Sequence, residues 1–195
     1  MTDYHQTIKD FMPCSPREEA DRQQMLRIIG GDGCLPGLKE QALFRDPVAH
    51  MTVSALVFNR KRDKMLMVRH DIYGTWTWMG GHADGMVDLE AVAVKEAKEE
   101  SGIQTLKKIY PGAVALHTLP VSFHVKKGQP VSAHLHLNVS YAFEGDEGEE
   151  LKACPGENTG VAWIKMDELE YYSNEPDFIQ IYRDILERIK KYEKK

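Results

Sequence analysis

Between Gly80 and Ile103 the chain reads Gly-Gly-His-Ala-Asp-Gly-Met-Val-Asp-Leu-Glu-Ala-Val-Ala-Val-Lys-Glu-Ala-Lys-Glu-Glu-Ser-Gly-Ile. Each residue of a helix turns it by roughly 100°, so Glu96, Glu99 and Glu100 fall within about 100° of arc. Three carboxylates therefore crowd one side of the final turn. The helix dipole is negative there and prefers cations. Glu96 and Glu100 also repel as an i,i+4 pair, at a cost of about 0.2–0.5 kcal/mol on an exposed helix. Lys95 and Lys98 relieve part of this, but they do not explain why the acids converge. A solvated acidic face is the simplest account of an isolated Lys-Glu-x-x-Glu-Glu. Here a glycine turn leads in, a glycine leads out, and Leu89, Val92, Ala93 and Ala97 can bury the opposite side. A hard divalent cation, Mg²⁺ or Mn²⁺, accounts for the convergence, because such ions take oxygen ligands and bridge to phosphate oxygens. A backbone carbonyl at Gly80 or Gly81 would complete the set.

A second group of chemistry-bearing residues is imidazole. Val131–Phe143 alternates, with Leu135, Leu137, Val139, Tyr141 and Phe143 on one face and His134, His136, Asn138 and Ser140 on the other. His134 and His136 thus project the same way, ~7 Å apart along a strand. His50 opens an earlier apolar strand, and His82 follows the glycine pair. Taken singly, each reads as a solvent-facing or loop histidine.

These residues need elements to hold them. Ser15-Pro16-Arg17-Glu18 has a hydroxyl N-cap, proline at the first helical position and glutamate three residues on, so a helix is expected to about Ile29. Gly30-Gly31-Asp32-Gly33 ends it and lacks the Lys-Ser/Thr of a phosphate loop, which makes it a linker. Strands are expected at Met51–Phe58 and Lys64–Arg69, with a turn at Asn59–Asp63. Further strands follow near 113–121, 131–143 and 161–164. A helix over Asp88–Ser101 ends at Gly102, and a last helix runs from Pro176 to about Lys190. Strands interleaved with helices predict a mixed α/β domain over 47–195 with a helical extension over 1–46.

Composition narrows the class. The chain has 195 residues, 42% hydrophobic and 28% charged, which suits one globular domain with an extension. Nothing in the sequence is long and apolar enough to span a bilayer, and Met-Thr-Asp-Tyr-His is not the start of a signal peptide, so a cytoplasmic location is expected. Cys14, Cys34 and Cys154 are odd in number and widely spaced, as for reduced thiols. A net charge of −5 argues against nucleic acid as a partner, though not against a nucleotide held through a cation.

The Gly80–Ile103 segment resembles the Nudix box, G-x₅-E-x₇-R-E-U-x-E-E-x-G-U, with U a bulky apolar residue. Gly81, Glu96, Glu99, Glu100, Gly102 and Ile103 are in register, and Ala97 fills the first U position. Val87 replaces the pattern's first glutamate and Lys95 its arginine, two side chains that pair in the family. The resemblance covers about residues 48–190, including Val161–Leu169 as a late strand and short helix. It implies an α/β/α sandwich of mixed sheet, and hydrolysis of a diphosphate linkage, in a nucleoside diphosphate derivative. Glu96, Glu99 and Glu100 would be both metal ligands and catalytic residues, with Glu99 or Glu100 as base. Trp76, Trp78 and Tyr73 near the entrance could stack on a base, although aromatics next to a glycine turn are at least as often packing residues. A non-catalytic sensing module is the second class, with eroded glutamates as its usual sign.

His50, His82, His134 and His136 also resemble, position for position, the metal ligands of isopentenyl-diphosphate isomerases, with histidine replacing two acids. That implies a transition-metal site for Zn²⁺, Mn²⁺ or Fe²⁺ and an isomerase-like alternative function. The isomerases' cysteine before the Gly-His pair is Gly80 here, which cannot exchange a proton with carbon. The N-terminal helices are expected either to cap the site or to form a homodimer interface.

Overall fold

The computed structural model describes residues 3–30, 41–71, 74–126 and 128–195. In chain order these form α1 (Tyr4–Asp10), α2 (Pro16–Ile29), β1 (Ala49–Phe58), β2 (Lys64–His70), β3 (Trp76–Thr77), β4 (Met79–His82), α3 (Leu89–Ser101) and β5 (Leu106–Lys108). They continue with β6 (Ala115–Val121), β7 (His124–Lys126), β8 (Gln129–Val131), β9 (His134–Gly145), β10 (Asn158–Lys165), α4 (Leu169–Tyr172) and α5 (Pro176–Glu193). The expected mixed α/β class is observed. The main sheet is ordered β10-β2-β1-β9-β5, with β3 on β2, β4 on β1 and β6 on β9; β7 and β8 form a separate hairpin. No helix among the described residues is long and apolar enough to cross a membrane.

The chain divides into two compact units, with β1, β4, α3 and β9 running through both. The first comprises residues 1–53, 81–92 and 115–139. Its α2 starts as the sequence dictates: Ser15 Oγ accepts from the Glu18 amide at 3.1 Å, and Glu18 Oε2 accepts from the Cys14 amide at 2.8 Å. One otherwise open donor of the first turn, and one just before the N-cap, are satisfied in this way. Arg22 donates to the Ile8 and Lys9 carbonyls at 3.0 and 2.7 Å, closing the end of α1. Ile8, Met25, Ile29, Met51, Leu116, Leu137 and Val139 are buried in this unit.

The second unit comprises residues 54–80, 93–114 and 140–195. Here β1 meets β2 antiparallel with Val57 opposite Leu66, and β2 meets β10 with Trp163 opposite Leu66. Helix α5 presents Ile179, Ile181, Tyr182, Ile185, Leu186 and Ile189 as a buried face. The fully buried Tyr182 hydroxyl lies 3.1 Å from Thr77 Oγ1 and accepts from the Trp78 amide at 3.3 Å. A buried hydroxyl is tolerated there because it has partners.

Several expectations shift in detail. The strand expected over 131–143 begins at His134 and runs to Gly145, with Val131 ending the separate β8. Its polar face is not solvated: Asn138 and Ser140 are 2% and 0% exposed, and Thr52 Oγ1 donates to Asn138 Oδ1 at 3.1 Å. The alternation therefore separates two buried environments. Gly31–Gly33, Cys34 and Tyr73 lie outside the described residues. Cys14 and Cys154 are free thiols.

Helix α3 ends at Gly102, whose φ of +78° places it in the left-handed region that favours glycine. An added Cβ would stand 3.0 Å from the Lys152 amide nitrogen, and that amide donates to the Ser101 carbonyl at 2.8 Å. We expect Gly102→Ala to destabilise the protein by about 1–2 kcal/mol, read as a lower urea midpoint at unchanged m-value. A neutral substitution would show that this helix end is free to rearrange.

Candidate active site

The three glutamates of α3 occupy unlike environments. Glu100 is buried, 6% exposed. Its Oε1 accepts from the Gly80 amide at 2.8 Å, and its backbone carbonyl accepts from Asn158 Nδ2 at 2.9 Å. Burial pushes its carboxyl up to about 8, the Gly80 hydrogen bond opposes this, and the Glu96 and Glu157 charges add to it. The Glu96 side chain is 17% exposed, and burial raises its pKa too, against the pull of Lys95. Glu99 is half-exposed at 53%.

Between Glu96 and Glu99 sits a cation supplied by the chain. Lys95 Nζ donates to Glu96 Oε1 at 3.1 Å and to Glu99 Oε2 at 2.8 Å. These two contacts raise the lysine's pKa, the Glu99 bond most. Lys95 thus marks the place where positive charge is wanted. Glu157, in the turn before β10, acts on both Glu96 and Glu100. Sequence reasoning missed it and Asn158, because that turn has no periodicity to read. Asn158 opens β10 beside a bulge in its pairing with β2.

Gly81 lies in β4, half-buried. Trp78 is a packing residue, 9% exposed with its ring edge-on to Phe178 and Tyr182 at 5.2 and 5.4 Å. Of the two readings of this tryptophan, base stacking or packing, its surroundings are those of packing. Trp76 is half-buried and edge-on to Tyr172 at 6.0 Å.

The first unit gathers the histidines. His50 from β1, His82 from β4 and His136 from β9 each offer a ring nitrogen, and these three lie within 4.8 Å of one another. His134 Nε2 is 3.3 Å from His136 Nε2. Burial lowers His50, while burial first and then the charges of His82, His50 and His134 hold His136 down to about 3. The solvated-histidine reading fails for this set, since the rings face each other. The segment after His82 is pinned: Ala83 donates to the Met51 carbonyl at 3.0 Å, and Arg45 grips Asp84 with two bonds of 2.8 Å.

A NUDIX domain model matches residues 48–189. The chain belongs to the Nudix hydrolase family. Its fold is similar to that of a NUDIX-family hydrolase from Clostridium perfringens, at 22% identity and TM-score 0.50, covering 71% of this chain and 96% of that one. It is also similar to a MutT protein from Methanosarcina mazei Go1, at 19% identity and TM-score 0.51, covering 76% and 97%. A third match is the NUDIX domain of NrtR from Shewanella oneidensis, solved with ADP ribose, at 17% identity and TM-score 0.52, covering 75% and 90%.

Within this Nudix chain the two departures from the box have visible consequences. Val87 is 40% exposed and has no charge to offer a base. Lys95 turns instead to Glu96 and Glu99 on its own helix. A lysine suits that position, because its compact ammonium can bridge two carboxylates that are not arranged for a planar fork. Gly80, where the isomerases carry cysteine, contributes its amide to Glu100.

A carboxyl raised by burial makes the fold less stable as it ionises. The contribution of Glu100 to stability is highest below the ordinary value of 4.5 and falls as pH rises to about 8, where the loss levels off. Glu100→Gln keeps an acceptor for Gly80 and cannot ionise. In chelator, the variant's thermal midpoint should gain on the wild type's across that window. A variant that loses ground as pH rises would show that the surroundings favour the ion.

Proposed function

We propose that this Nudix hydrolase cleaves a diphosphate linkage, in a nucleoside diphosphate derivative, with Mg²⁺ or Mn²⁺ at Glu96, Glu99 and Glu100. The observation that carries the reading is that Lys95 already supplies positive charge between Glu96 and Glu99, while the buried Glu100 on the same helix feels the Glu96 charge. The donor set fits a hard cation: all three side chains offer oxygen, and none offers nitrogen or sulfur. Bound there, the cation would neutralise diphosphate oxygens and acidify a water.

The chain's own groups would divide the remaining work. Glu100, held by the Gly80 amide, has a fixed orientation and serves as a ligand. Glu96, half-buried, serves the same role. Glu99 is the most open of the three, and it is the carboxylate best able to take the proton of an attacking water. Lys95 would release these acids to the stronger cation and remain near the diphosphate as a second positive charge. The diphosphate chemistry and the nucleoside assignment rest on the family, whereas the place of the cation rests on the site.

Glu99→Gln and Glu100→Gln should each reduce divalent-dependent turnover by at least about 10²-fold, the lower end of a positioned acid–base contribution. Circular dichroism should be unchanged. The assay is release of phosphate or nucleotide across nucleoside diphosphate sugars, dinucleoside polyphosphates, NADH and coenzyme A. Full activity in both variants would place the chemistry elsewhere.

A further inference from the structure

The histidines lie apart from the carboxylate chemistry in donor type and are not used by it. We infer that His50, His82 and His136, completed by His134, form a zinc-class metal site with an all-imidazole ligand set. The clearest sign is His50. It is 5% exposed, and among the described residues its Nε2 has no hydrogen-bond partner. Its Nδ1 lies 2.7 Å from the Asp46 carbonyl, which can only accept. The ring proton is therefore on Nδ1, and Nε2 carries a bare lone pair into a buried space. A backbone carbonyl that fixes the tautomer of a metal-ligating histidine is a common supporting contact.

His134 repeats the arrangement. Its Nδ1 lies 2.8 Å from the Ser132 carbonyl, so its Nε2 also presents a lone pair, towards His136 Nε2 at 3.3 Å. Zinc–nitrogen bonds of about 2.0–2.1 Å in tetrahedral geometry put neighbouring nitrogens about 3.3–3.4 Å apart. This edge already has that length. The ring centroids follow the same pattern. His50–His82, His50–His134, His50–His136, His82–His136 and His134–His136 lie at 5.0, 4.8, 5.0, 5.2 and 5.1 Å. Four imidazoles around one tetrahedral ion would space their centroids about 5.2 Å apart.

The ligands come from the start of β1, the end of β4 and the start of β9, all in the first unit. An ion there would tie three strands together. Four nitrogens and no carboxylate favour Zn²⁺ and similar ions, and disfavour Mg²⁺ and Ca²⁺, which require oxygen. A filled tetrahedron leaves no open position, so the role of the ion is structural.

The test uses the full chain, stripped with chelator, loaded with Zn²⁺ in excess Mg²⁺ and desalted. Elemental analysis should give one zinc per chain, retained in Glu99→Gln and lost in His136→Ala. His134→Ala, at the more open edge, should weaken zinc binding by at least tenfold while leaving the fold intact by circular dichroism. Zinc should also raise the thermal midpoint of the wild type. Since His136→Ala can fail to fold, X-ray absorption of the zinc-loaded wild type supplies a variant-free readout, expected to show a shell of four nitrogen scatterers with imidazole multiple scattering. A shell containing carboxylate, zinc lost with Glu99→Gln, or no stoichiometric zinc would overturn the assignment. None of these outcomes bears on diphosphate hydrolysis, which is read by turnover.

Discussion

The hydrogen bond from the Gly80 amide to Glu100 is the constraint on which the site depends. It fixes a buried carboxyl at the end of α3, where the helix dipole works against negative charge. A lone backbone donor does not compensate an ionised carboxylate held out of water. The surroundings therefore raise its pKa and leave the site short of positive charge. Asn158 holds the Glu100 carbonyl from the start of β10, and Gly102 stops the helix just beyond it. Three backbone features are arranged around one side chain.

Lys95 shows how the chain manages this shortage. An exposed lysine paired with a glutamate four residues on contributes little to stability. Its value here is in holding Glu96 and Glu99 close together. Removing its partner at position 87 leaves the ammonium free to do this, so the two departures from the box belong together as one local change.

Periodicity carried most of what was legible. The angular grouping of Glu96, Glu99 and Glu100 follows from 3.6 residues per turn, and the shared direction of His134 and His136 from the strand period of two. The N-cap at Ser15 and the stop at Gly102 were legible as local chemistry. What periodicity cannot report is what covers a face. The polar side of β9 reads as solvated, yet Asn138 and Ser140 are buried there, and Asn138 is met by Thr52 from another strand. Strands as short as β3 and β5 have too few residues to show a period. Glu157 and the ring contacts of His50 are tertiary facts, set by chain segments far apart in sequence.

Burial acts in opposite senses on the two donor sets. It disfavours charge in both, which makes a carboxyl hold its proton and an imidazole lose one. For His50 and His136 that outcome is the ligand form itself, so their readiness for a metal needs no help from outside. For Glu100 it is the opposite form, so a cation bound there would have to displace a proton, and for Glu96 burial works in the same direction against the pull of Lys95. One physical effect would thus leave the proposed nitrogen site prepared in advance and the proposed oxygen site to be completed by its ion. That difference suits a permanent structural metal in the first case. In the second it suits a cation that arrives with, and leaves with, a charged substrate.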